Sequence, residues 1–325
     1  MRISRLLDRF EEERLPLLAA RTQETYRTSL SYFRAFFVTR GVDLPDRGRM
    51  RDPELDLVRR GHVVDYLTWR RKQNGRGRGL VSNRTVAKDR TTLHVVFAYA
   101  EELELREGNP VTKTRAPKAD PREYVILDEP EYERLLAACE WNPVLWLYTL
   151  LLGETGARAV TEGMRVRWTD VDLERGFLRI PSNKRHRTKS GKGRSVPLTP
   201  RLEAALREHF ATYRLASYDG RRPEYVFHYT RTARRAKAGE RIRSFRSGMT
   251  KAIAAAELPE GFRVHDLRHR RVTTWLTEGK NPVHVKETMG HSDLRTTMGY
   301  THLLPDHLRA LVEGSVYEER RSSSA

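Results

Sequence analysis

Residues 143–153 read PVLWLYTLLLG and offer no charged or strongly polar face to water. As a helix the run would span about 16 Å at ~1.5 Å per residue, roughly half the hydrocarbon core of a bilayer. It therefore cannot cross a membrane, and a helix without a polar stripe has to be enclosed by other elements on every side. The chain must supply a core thick enough to bury it, and 325 residues suffice for two domains of ordinary size. Pro143 marks the start of this helix, and Gly153 or Gly156 its end.

The flanking sequence divides into two parts. Residues 5–40 carry apolar side chains at helical spacing, from Leu6, Leu7 and Phe10 to Phe36 and Phe37, until Gly41 and Pro45 end the pattern. HVVDYLTWRRKQ and NRTVAKDRTTLHVVFAYAEEL add two more helices, separated by the glycine-rich basic turn NGRGRG. Residues 1–115 thus read as an all-helical domain. The stretch TKTRAPKADPREY has prolines, basic residues and no apolar periodicity, and the linker is set at 116–123 within it. A second domain, 124–325, opens with Asp128 as helix N-cap and Pro130 in the first turn. TDVDLERGFLRIPSNKRHRTKSGKGRSVPLTP reads as strand, long basic hairpin, strand, and helices resume at PRLEAALREHF and persist to the end. The fold class expected is mainly α with a small β-sheet, in two domains, the second of them α+β.

Charge narrows the partner. Lys and Arg number 61 against 43 Asp and Glu, a formal net charge of +18, split evenly between residues 1–118 and the rest. An excess spread over both halves points to a polyanion touched by both, and double-stranded nucleic acid is the reading. Between positions 70 and 90 the only acid is Asp89, among Arg70, Arg71, Lys72, Arg76, Arg78, Arg84, Lys88 and Arg90. These, with Lys192 and Arg194 on the hairpin, are the candidate phosphate contacts; the plain alternative is a solvated helix face. The single cysteine, Cys139, excludes an internal disulfide and a cysteine-based zinc site, and its apolar surroundings suggest a buried thiol. No signal-peptide pattern opens the chain, so a cytoplasmic protein is expected.

Cutting a phosphodiester without a carboxylate cluster to clamp magnesium demands three things of side chains. Arginines must hold the transition-state charge, a protein group must attack, and an acid must protonate the leaving 5′-oxygen. A tyrosine hydroxyl suits the second task, because its pKa near ~10 allows ionisation beside cations. The chain supplies these parts in order: Lys189 in TKSGKGRSVPL, His265 and Arg268 in HDLRH, His291 in GHS, and Tyr300 nine residues later. Taken singly each has an ordinary reading. Tyr300 could be a core tyrosine, His265 and His269 a zinc pair four residues apart, and Lys189 one solvated charge among many. His269, Arg270 and Arg271 read as support or backbone contacts.

HDLRH, GHS with its tyrosine, RWTDVDL and TKSGKGRSVPL together resemble the boxes of the tyrosine recombinases, the phage integrase family. The resemblance covers nearly the whole chain and is specific over about 124–315. It implies a helical core-binding domain and an integrase-type catalytic domain closing as a clamp on duplex DNA, which performs site-specific recombination through a 3′-phosphotyrosyl intermediate. On this resemblance Tyr300 would be the nucleophile, Arg268 would hold the scissile phosphate, and Lys189, with Lys192 as competitor, would be the general acid. His265 would act on the nucleophile side as proton acceptor or orienter, and His291 would hydrogen-bond the phosphate. No metal, ATP or other cofactor is implied. The partners implied are DNA and three further copies of the chain, joined through a C-terminal tail helix after Pro305. Alternatives are a type IB topoisomerase and a non-cleaving DNA binder on the same scaffold. One departure stands out. TGAR places the first catalytic arginine at Arg158, whereas counting back from Glu162 and Trp168 places it at 159, where the chain has Ala159.

Overall fold

The computed structural model describes residues 1–45, 47–75, 79–118, 124–182, 193–215, 217–233 and 236–300. It divides into two units, Met1–Arg122 and Glu123–Ala325. Among the described residues, no helix is long and apolar enough to cross a membrane.

The first unit packs α1 (Ile3–Arg9), α2 (Ala20–Phe33), α3 (Arg60–Arg71) and α4 (Asn83–Glu102) around Phe10, Phe33, Phe36, Phe37, Tyr66 and Phe97, all fully buried. The helical pattern over 5–40 is not one helix. Pro16 has no amide hydrogen to give to a fourth preceding carbonyl, and the chain winds through a short 3₁₀ turn at Leu15–Leu17 before Leu18 adopts an extended conformation. Nor is the unit all-helical. After Gly41 comes a hairpin of β1 (Val42–Leu44) and β2 (Gly48–Met50), with Val42 and Leu44 buried and Asp43 exposed between them. That three-residue alternation is too short to stand out from the helical spacing before it. Ser82 caps α4 by accepting from the Thr85 amide.

Two of the expected phosphate contacts serve this unit's interior instead. Arg70 is 3% exposed; its Nε lies 2.8 Å from Asp89 Oδ2, and its guanidinium lies 3.5 Å from the centre of the Tyr32 ring. Ser29 Oγ donates to the other Asp89 oxygen at 2.6 Å. The cluster ties α2, α3 and α4 together, and a buried charge that lost its partner would cost several kcal/mol, on the order of 3–5. Arg90 donates to the carbonyls of Val111 and Thr114, holding the segment that follows α4. Arg71, Lys72, Arg84 and Lys88 are exposed, while Arg76 and Arg78 lie outside the described residues.

The second unit is built around the apolar run. α5 (Glu129–Ala137) begins with Asp128 accepting from the Glu131 amide while Glu131 returns the bond. α6 (Pro143–Thr155) is the enclosed helix, with ten of its thirteen residues buried. It packs against α5 and two later helices, and each fully buried leucine contributes about 2 kcal/mol. Cys139 is buried and free beside Thr149, and burial raises its thiol pKa. A three-stranded antiparallel sheet follows: β3 (Val171–Asp172), β4 (Phe177–Ile180) and β5 (Arg194–Pro197), with Leu178 facing Val196. The basic hairpin between β4 and β5, with Lys189 and Lys192, lies outside the described residues over 183–192. α7 (Pro200–Tyr213) is capped by Thr199. Helices do not then persist as expected. Among the described residues, 214–245 has no helix and adds isolated bridges, Arg167 with Tyr225 and His228 with Arg241. Among the described residues, four further helices follow: α8 (Arg246–Ala255), α9 (Asp266–Thr277), α10 (Pro282–Met289) and α11 (Leu294–Met298). The expected tail helix falls in 301–325, outside the described residues.

Candidate active site

The ends of α6 and α10, the start of α9 and the strand β5 converge. α6 stops at Gly156, whose φ of +62° is left-handed; a Cβ there would lie 2.4 Å from Met289 Cε. α10 stops in the same way at Gly290, φ +68°. Its last carbonyls have no partner within the helix and carry the negative end of the helix dipole. Each of three carbonyls receives a different arginine. Arg194 Nε donates to Thr288 O at 2.7 Å, Arg268 Nη2 to Met289 O at 2.6 Å, and Arg158 Nη2 to Gly290 O at 3.4 Å. Arg268, from the first turn of α9, also donates to Gly156 O at 2.7 Å.

Glu162 is the carboxylate among these cations. Arg194 reaches both its oxygens, at 3.1 and 2.7 Å, and Arg158 gives it a backbone amide at 2.8 Å and a guanidinium bond. Burial alone would raise the Glu162 pKa. The hydrogen bond and charge of Arg194, with Arg158 behind them, outweigh burial and hold it at about 2. Burial, then the charges of Arg158 and Arg194, lower Arg268 to about 9, so it remains a cation at neutral pH. Three guanidinium groups facing one carboxylate leave a surplus of positive charge, which an anion can relieve. Arg194 was expected at DNA phosphates. Its side chain is 6% exposed and its donors are spent on Glu162 and Thr288, so it braces the site from within.

Arg158 and Ala159 take different positions in the turn after Gly156. The carbonyl of Arg158 accepts from both the Glu162 and the Gly163 amides at 2.9 Å, and Ala159 O accepts from Met164 at 2.9 Å. Bonds to the fifth residue make a wide turn. The turn sends Arg158 to the α10 carbonyls, while Ala159 packs against the core and its carbonyl accepts from Tyr148 Oη at 2.9 Å.

His291 follows Gly290, and its Nδ1 is 2.8 Å from Thr297 Oγ1. Burial, then Arg268, Arg158 and Arg194, lower its pKa to about 4, so it is neutral at pH 7 and able to give a neutral N–H to an oxyanion. Tyr300, just beyond α11, is 7% exposed. Its hydroxyl shares a hydrogen bond with His269 Nδ1. The His269 ring lies 3.9 Å from that of Tyr124 and, edge-on, 5.1 Å from that of His265, the residue before α9. The structure thus brings Arg158, Arg268, His291, Tyr300 and His265 into one region. It adds Arg194, Glu162 and His269, which sequence reasoning left in other roles. For His269 the signal was its place on the same helical face as His265, four residues on; for Glu162 it was a lone acid among arginines.

This arrangement can bind a phosphate between guanidinium groups and present a phenol to it. The Phage integrase family model matches residues 126–307. The chain is similar to tyrosine recombinase XerC of Mycobacterium tuberculosis, 28% identical over 95% of this chain and 97% of that one. It is 25% identical to a tyrosine recombinase of Pseudothermotoga lettingae, over 93% of this chain and 95% of that one. Among solved structures, a Tn1549 transposon integrase in complex with transposon right end DNA superposes with TM-score 0.73 at 17% identity, covering 96% of this chain and 99% of that one. A lambda integrase tetramer bound to a Holliday junction gives 0.66 at 19% identity, covering 90% and 78%.

Proposed function

The chain belongs to the phage integrase family and is a site-specific DNA recombinase, and from that premise we propose how its own side chains perform the reaction. Tyr300 Oη attacks the phosphorus of a phosphodiester. Arg268 and Arg158 hold the two non-bridging oxygens, and His291 adds a neutral hydrogen bond to one of them. The P–O5′ bond breaks, and Lys189, or Lys192 in its place, protonates the leaving oxygen; both lie in the segment outside the described residues. The product is a 3′-phosphotyrosyl bond and a free 5′-hydroxyl, and attack by a second 5′-hydroxyl reverses the step on a new strand. Because the ester bond is conserved, neither ATP nor a metal enters this scheme. His265 stands on the nucleophile side.

The helical unit, 1–115 in this reading, adds sequence-independent phosphate contacts through Arg71, Lys72, Arg84 and Lys88. By analogy with the lambda integrase tetramer, four copies act on two sites, and a tail helix after Pro305 joins neighbouring protomers. What supports the reading is the convergence of Arg158, Arg194 and Arg268 on one helix end beside a buried tyrosine. Each guanidinium is oriented before any substrate arrives, which is the condition for strong transition-state stabilisation. The test is a nicked suicide substrate carrying the protein's own target DNA. Wild type gives an SDS-resistant adduct; Tyr300→Phe binds the DNA and gives none. An adduct with the Phe variant would remove Tyr300 from the role.

A further inference from the structure

The identity of the group that takes the Tyr300 proton is not set by the family boxes, which put His265 on that side. We propose that it is His269, with Asp266 behind it, so that Tyr300, His269 and Asp266 act as a relay. The inference rests on Tyr300 being the nucleophile.

The geometry is that of an activated nucleophile, in which a hydroxyl bonds a base and the base faces a third, orienting group. Tyr300 Oη and His269 Nδ1 are hydrogen-bonded. On the other side of the ring, His269 Nε2 lies 3.9 Å from Asp266 Oδ1, with both side chains almost fully buried. Helical spacing puts them there, because residues three apart on α9 share a face. Asp266 is fixed in turn, since its Oδ2 accepts from the Arg263 amide at 3.0 Å. A carboxylate opposite Nε2 favours the tautomer with the ring proton on that nitrogen. Nδ1 then carries the lone pair, and the Tyr300 hydroxyl donates to it. The imidazole lies against the ring of Tyr124, at 3.9 Å, and is held at its edge by the Tyr300 hydroxyl, which together limit its freedom to turn away.

In the step itself, the Tyr300 O–H bond breaks as the O–P bond forms. The proton passes to His269 Nδ1, and the resulting imidazolium is stabilised by Asp266. The P–O5′ bond breaks and its oxygen takes a proton from the hairpin lysine. On religation the attacking 5′-hydroxyl gives its proton to the lysine as its oxygen bonds phosphorus, and His269 returns its proton to the departing phenolate, so no proton is gained or lost over the cycle. The titratable groups facing the imidazole are Asp266 and His265 from the start of α9, the phenol of Tyr124 and the Tyr300 hydroxyl.

The experiment is single-turnover adduct formation on the suicide substrate at saturating DNA, comparing wild type, His269→Gln, His269→Ala, His265→Gln and Tyr300→Phe. Glutamine keeps a polar group of similar reach but cannot take a proton. His269→Gln is expected to slow the adduct rate by about 10²–10⁴-fold with DNA affinity and melting temperature near wild type. Its rate is expected to keep rising with pH where wild type levels off, and added imidazole should partly restore His269→Ala. A His269→Gln rate within threefold of wild type, or above it, overturns the proposal, since the second result would mean that His269 only restrains the tyrosine. A larger loss in His265→Gln than in His269→Gln overturns it too. If Tyr300→Phe still forms adduct, the nucleophile assignment fails. If Tyr300→Phe is dead and His269→Gln is fast, the proton assignment alone fails.

Discussion

Replacing Arg194 with methionine removes a charge that never reaches solvent. Its partner Glu162 is equally buried, with side chains 6% and 3% exposed. Taking Arg194 away leaves buried Glu162 with Arg158 as its remaining cation, and the loss of a buried charge's main partner costs on the order of 3–5 kcal/mol. The titration of Glu162 gives a second measure. A carboxyl held at about 2 rather than its ordinary 4.5 prefers its charged form by about 3 kcal/mol, at ~1.4 kcal/mol per pH unit. The folded-state value lies below the ordinary one. That stability is therefore present above about pH 4.5 and drains away as the pH falls toward 2. Without Arg194, only Arg158 opposes the effect of burial, so the Glu162 pKa rises and acid destabilisation begins at higher pH. For a unit of about 200 residues, a loss of 3–5 kcal/mol lowers the melting temperature by roughly 10 °C. Arg194→Met, Glu162→Gln and the double variant, melted by circular dichroism at pH 7 and pH 4, make a double-mutant cycle. The double variant is expected to recover at least ~1–2 kcal/mol over the sum of the singles, because no buried charge is then left alone. A cost below ~1 kcal/mol for Arg194→Met, or strict additivity, would refute the reasoning, since either would mean that the pair is already solvated.

Two further outcomes depend on where side chains point. Arg158→Ala is expected to lower adduct formation by about 10²–10³-fold. Ala159→Arg, which drives a charge against Tyr148 and the core, should destabilise the catalytic unit without raising cleavage; a gain in cleavage would return the register to 159. Arg70→Met is expected to destabilise the helical unit in a melt while leaving the slope of log affinity against log salt unchanged. Lys88→Ala should flatten that slope by about one, and an unchanged slope would take Lys88 off the DNA.

Local chemistry was the legible part of the chain. Asp128 announces a helix start because its carboxylate meets amides three residues away, and the 143–153 run announces burial because nothing in it tolerates water on any side. Arg70 was illegible for the opposite reason. Its partner Asp89 lies nineteen residues on and becomes a neighbour only when α3 packs on α4, so a charge count reads both as surface. The Arg194–Glu162 bridge spans thirty-two residues and two strands, and the contact of His269 with Tyr300 depends on how α11 returns to α9. The 158/159 register was open because periodicity counts residues, whereas a wide turn changes how many residues fit between two fixed points. The β1–β2 hairpin was hidden by its shortness: three alternating residues carry too little signal against forty of helical spacing.

The shared helix end has a bearing on accuracy. The oxygens of one phosphate lie a few ångströms apart, and donors misplaced by more than about half an ångström lose much of their effect. In the proposed site the donors come from a turn after α6, the start of α9 and the residue after Gly290, with Arg194 at the edge of a sheet bracing them, and parts positioned against separate references accumulate error as they are assembled. The carbonyls of residues 288, 289 and 290 give all three arginines one datum, and His291 is the next residue along it. A shift of that datum carries the four groups together, so their spacing survives motions that would scatter independently mounted parts. Tolerance is set by a single helix end rather than by the sum of the segments that meet there.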